Sequence, residues 1–117
     1  NDGFSSMKNQ INKDAGDFKD LIDSLNSKFV VYGAGHYSQL LLNLANKLYG
    51  IKPEKIFDSN KQKCGNKICN VEIEHKDTMS HLQDYHIVII CGVYNNEIYN
   101  MIVQNKNLEY KGVVKWK

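Results

Sequence analysis

Gly33, Gly35 and Ser38 stand in the order G-x-G-x-x-S immediately after the apolar run from Phe29 to Tyr32, and Asp58 follows roughly twenty residues on. A glycine at the first position lets the chain reverse tightly at a strand end, and one at the second lets backbone come close to a phosphate. A helix starting near Ser38 would turn its unpaired N–H groups and positive dipole end toward Gly33, Ala34, Gly35, His36 and Tyr37, which makes the gap an anion site. A carboxylate at the end of the next strand is placed to take ribose hydroxyls, and Asp58 occupies that position. Ser38 replaces the third glycine of G-x-G-x-x-G, a departure that a small side chain tolerates. The competing reading is a tight strand-to-helix turn with a solvent-exposed aspartate and no ligand.

A second group, C-G-V-Y-N-N-E-I, carries Gly92, Val93, Tyr94, Asn95 and Glu97 toward the same crevice. There Tyr94 either stacks on a base or sugar or covers the sheet edge. His36 reads as a partly exposed residue at the ligand's edge, with phosphate contact or proton donation as the sharper alternative. No nucleophile, base and orienting acid gather in one region, so no catalytic residue is assigned. Cys64, Cys69, His75 and His81 invite a zinc reading, but no helical histidine pair is clear and no metal is assigned. Lys61, Lys63 and Lys67 read as a solvated turn, the alternative being neutralisation of a diphosphate above them.

The elements that must position these residues follow from periodicity. Asn1 to Lys13 is polar and reads as a lead-in or linker; a helix capped by Asp14 then carries Phe18, Leu21, Ile22 and Leu25 at i, i+3, i+4, i+7. Phe29 to Tyr32 is a strand covered on both faces, and Leu41, Leu44, Ala45 and Leu48 mark a helix ended by Gly50 and Pro53. Further strands are expected at Lys55 to Asp58, at Val71 to Ile73, at His86 to Cys91 as the central one, and at Val113 to Trp116. Short helices are expected at Thr78 to Gln83, capped by Thr78 or Ser80, and after Asn95. Alternating strands and helices with long connections imply right-handed crossovers and a parallel sheet, hence an α/β fold of three layers, helix on sheet on helix.

Composition narrows the function classes. The 117 residues suit one domain, residues 14–117, and the formal charge of +2 with dispersed lysines argues against nucleic acid or an anionic membrane as partner. All fifteen basic residues are lysine, so no arginine is present to clamp a terminal phosphate bidentately. Three cysteines, with Cys91 inside an apolar run, fit a reducing cytoplasm, and no apolar stretch reaches the roughly twenty residues of a membrane span. The chain opens at Asn1 without a methionine, which suggests a piece of a longer polypeptide, although Met7 is also placed as a start.

The stretches VVYGAGHYSQLLLNL, IFDSNKQKCGNKICNVEI and IICGVYNNEI together resemble the Rossmann-like accessory domains of bacterial polysaccharide- and sugar-modifying enzymes. The similarity spans Lys28 to Lys115. It is greatest to the domain that follows the catalytic domain in S-adenosylmethionine-dependent sugar methyltransferases, and related domains open sugar acetyltransferases. The resemblance implies a module that binds a nucleotide or sugar nucleotide and performs no chemistry itself, partnered by a catalytic domain of the same parent chain. It implies that Gly33, Gly35, His36 and Tyr37 border the phosphate, Asp58, Ser59 and Asn60 the hydroxyls, and Tyr94 to Glu97 the far wall. Two other classes compete with it: an NAD-binding oxidoreductase domain, and a structural module that forms a homodimer and leaves its crevice empty.

Overall fold

The computed structural model describes residues 2–117, with side-chain environments from residue 8 onward. Helix α1 (Asp2–Leu25) leads into β1 (Lys28–Tyr32), α2 (His36–Tyr49), β2 (Ile56–Asp58), β3 (Lys67–Ile68) and β4 (Val71–His75). Strand β5 (Leu82–Ile89), helix α3 (Asn95–Gln104) and β6 (Tyr110–Lys115) complete the chain. Single 3-10 turns lie at Lys61–Lys63, Lys76–Thr78 and Gly92–Tyr94.

The six strands form one sheet in the order β3-β4-β2-β1-β5-β6, parallel throughout except for the antiparallel edge pair β3–β4. With β3 set aside, the parallel strands run 3-2-1-4-5 in chain order, the order of a doubly wound α/β sheet up to its fifth strand. Strand β1 is central, not the His86–Cys91 strand as expected, since β5 lies between β1 and the edge strand β6; β1 is buried from Phe29 to Tyr32, as its unbroken apolar run requires. Alternate residues of β1 and β5 face opposite ways. Phe29, Val31 and Val88 meet Phe18 of α1 and Leu41, Leu42 and Ala45 of α2. Val30, Ile87 and Ile89 meet Ile102 of α3 on the other face. Each fully buried aliphatic or aromatic side chain of this kind contributes about 1.5–3 kcal/mol, so the two helical layers hold the sheet without a disulfide, and the three cysteines are free.

Three expectations about elements need correction. Helix α1 begins at Asp2, not at Asp14, so residues 2–13 are helical. Ile11 continues the apolar stripe one turn before Ala15, and Gln10–Asp14 and Lys13–Asp17 bonds support that turn. The helix expected at Thr78–Gln83 is replaced by the turn at Lys76–Thr78 and the start of β5 at Leu82, because Leu82 is buried and pairs with Tyr110 of β6. Asn95 opens α3, but its side chain does not cap that helix; Tyr94 is the capping position. Gly50 ends α2 as anticipated, in the left-handed conformation at φ 70°, with its N–H bonded to the Asn46 carbonyl. Between β3 and β4, Cys69 and Asn70 both take positive φ, the geometry of a two-residue hairpin turn.

Candidate functional site

The chain leaves β1 toward β2 through α2 on one face and leaves β5 toward β6 through α3 on the other. The carboxyl ends of β1 and β5 therefore diverge into a crevice, where open α/β sheets take ligands. A cavity of about 800 Å³ occupies it, walled by the β1–α2 turn, the end of β2 and the segment after β5.

The two glycines of the turn serve different ends. Gly33 has φ 121°, and a Cβ there would stand 2.3 Å from the Ile90 carbonyl oxygen and 2.9 Å from Cys91 Sγ, so only glycine fits beside β5. Gly35 has an ordinary φ of −71°, and a Cβ there would meet nothing within 4 Å. Nothing in the protein demands glycine at 35; the space in front of it belongs to the cavity. Ser38 is buried and donates a 2.7 Å hydrogen bond to the Gly33 carbonyl, which gives the serine in the third glycine position a structural task. Asp58 is buried too: one carboxylate oxygen accepts the Ala34 N–H at 2.7 Å and the other the Asn60 N–H at 2.8 Å. Asp58 thus pins the turn to the end of β2 while lining the cavity.

Helix α2 starts at His36 with Gly35 at its N-cap and no side chain capping it, so its first-turn amides face the cavity with the positive end of the helix. His36 is exposed at this rim. Tyr37 lines the cavity, but its hydroxyl is engaged behind the turn. It donates to Asp14 of α1 at 2.6 Å and accepts from Trp116 Nε1 at 3.0 Å. Burial and the bond to Asp14 push the Tyr37 phenol above its ordinary pKa. Burial would raise the Asp14 carboxyl, but hydrogen bonds from Lys117, Tyr37 and Gln10 outweigh it and hold the pKa below the usual value.

Gly92, Tyr94 and Glu97 form the opposite wall, joined by Ile98 and Met101 of α3. Three of the expected site residues lie outside the cavity lining. Val93 is 92% exposed. The Asn60 side chain accepts the Gln62 N–H and caps the turn after β2. Asn95 is buried, accepting the Cys91 N–H at 2.7 Å and donating to the Trp116 carbonyl at 2.7 Å, so it clamps the end of β5 to the end of β6. Ser59 lines the cavity beside Asp58.

Four lining residues of consequence were not placed at the site by sequence: Ile98 and Met101 carry the helical spacing of the element after Asn95, and Tyr32 and Cys91 belong to expected strands; Lys63, read as a solvated turn with diphosphate neutralisation as the alternative, lines the cavity. Cys91 is half-buried and its thiol is pushed up to about 11 by burial and by the Asp58 charge, with Lys63 pulling the other way. It remains a protonated thiol that contacts the Tyr32 carbonyl at 3.5 Å. Tyr32 is only 2% exposed, and its hydroxyl is the one buried side-chain polar atom among the described residues without a hydrogen-bond partner. Ser59 stands near it without making that bond, and burial together with Cys91 and Asp58 raises the phenol to about 12.

The spacings Cys64-x4-Cys69 and His75-x5-His81 fall within the range of zinc sites, yet among the described residues no three His, Cys, Asp or Glu side chains come together. No described helix is long and apolar enough to cross a membrane. Comparison with known proteins finds no family model and no curated protein that matches this chain.

Proposed function

We propose that this domain binds a nucleotide or sugar nucleotide in the crevice at the ends of β1 and β5, as a non-catalytic module of a bacterial polysaccharide-modifying enzyme such as a sugar methyltransferase. The observation that carries the binding reading is the pairing of Gly35, whose missing side chain opens onto the cavity, with the uncapped amides of α2 beside it. Phosphate lies against those amides. The apolar surface of Ile98 and Met101 and the ring of Tyr94 receive the base, and Ser59 with the remaining lone pairs of Asp58 takes sugar hydroxyls. The parent enzyme rests on the sequence resemblance alone.

The order of the five parallel strands also suits a dinucleotide, so NAD is the second reading. Thermal shift and calorimetry with UDP-glucose, CDP-glucose and NAD separate the two. A ligand at a hundredfold excess over its Kd stabilises the fold by about 2.7 kcal/mol. Response to the sugar nucleotides supports the first reading, response to NAD alone supports the second, and a midpoint unmoved by any of them refutes both.

A further inference from the structure

We propose that the cavity accommodates a diphosphate, with Lys63 as the cation that holds the phosphoryl group farther from α2; this rests on the nucleotide reading above. Among the described residues Lys63 is the only lysine that lines the cavity, and it is half-buried there. Lys63, like most lysines of the chain, forms no ion pair among the described residues, so its charge is not committed to a carboxylate there.

The charge requirement leads to the same group. A helix N-terminus supplies roughly half an elementary charge, which leaves most of a diphosphate uncompensated. The Asp58 carboxylate is tied to the Ala34 and Asn60 amides and does not neutralise Lys63 through a bond. Glu97 lines the α3 side, where its charge disfavours phosphate; the anionic part of the ligand is therefore confined between α2 and Lys63.

The test is calorimetry of nucleoside mono- and diphosphates of each common base against wild type, Lys63→Gln and, as a surface control, Lys61→Gln. Lys61 is exposed and does not line the cavity. Wild type and Lys61→Gln should prefer the diphosphate by roughly ten- to hundredfold, and Lys63→Gln should lose that preference while keeping its monophosphate affinity. Added salt should weaken diphosphate binding more in wild type than in Lys63→Gln. Equal affinity of wild type for mono- and diphosphate, or a preference that survives Lys63→Gln, overturns the inference. If wild type binds no nucleotide, the nucleotide reading itself fails, a result distinct from a Lys63→Gln variant that behaves as wild type.

Discussion

Alanine at Gly33 and alanine at Gly35 should have opposite consequences, although the two positions lie two residues apart in one turn. At Gly33 the new Cβ would sit 2.3 Å from the Ile90 carbonyl oxygen, a backbone atom that cannot swing aside, at a φ of 121° that side chains rarely adopt. The backbone conformation costs about 1–3 kcal/mol and the overpacking about 1–3 kcal/mol more, for a loss of about 2–6 kcal/mol. For a chain of 117 residues whose whole stability is about 6–18 kcal/mol at typical values per residue, that is a large fraction. Thermal midpoints should fall by about 4 °C per kcal/mol.

Gly35→Ala meets nothing and needs no unusual φ. The preference for glycine at an N-cap and the reduced freedom of the unfolded chain oppose each other, so the net change stays within about 1 kcal/mol. Urea unfolding measures both variants, and nucleotide titration of Gly35→Ala should show weakened or abolished binding with the fold intact. If Gly33→Ala loses no more stability than Gly35→Ala, the distinction between a packing glycine and a ligand-facing glycine is wrong.

Asp58→Ala should destabilise the fold, not only the complex, because the Ala34 and Asn60 amides each lose their acceptor; about 1–3 kcal/mol per abandoned donor is measurable by urea unfolding without ligand. Tyr37→Phe removes the bond to Asp14 and the acceptor of Trp116 Nε1, and should lower stability by about 1.5–3 kcal/mol, the range for hydrogen bonds to charged groups. The Asp14 carboxyl has a folded pKa below its ordinary 3.8. Its contribution is therefore present above about pH 4 and is lost as pH falls through the depressed value. The stability difference between wild type and Asp14→Asn should accordingly narrow in acid, and a constant difference from pH 6 down to pH 2 would contradict the assignment.

The layers and the crevice were legible because they follow from local pattern: an unbroken apolar run in β1, helical spacing in α2, glycine where the chain turns. The glycine turn and Asp58 were found by spacing, and both line the cavity. What Asp58 does there was not legible, since its two acceptor bonds depend on how the loops after β1 and β2 meet. Tyr37 is similar: its hydroxyl finds Asp14 twenty-three residues earlier and Trp116 seventy-nine later, pairings that no local rule encodes. Asn95 looks like a helix cap by residue type, and tertiary packing gives it the β5–β6 clamp instead. Residues 2–13 were misread because the polar residues on either side, Lys8, Asn9, Gln10, Asn12 and Lys13, conceal one apolar stripe position, Ile11, and helix α1 is extended by its own side-chain pairs and by the partly buried Ile11 it packs against the core.

The borders of the sheet bear on how the protein behaves when crowded. On one side β3 is two residues long and folds back antiparallel on β4, so a neighbouring molecule finds almost no ladder to extend. On the other, β6 ends the sheet with Lys111 and Lys115 at exposed positions, and docking a second such strand would bring like charges together. Both margins resist fibril-like growth, by brevity at one and by repulsion at the other.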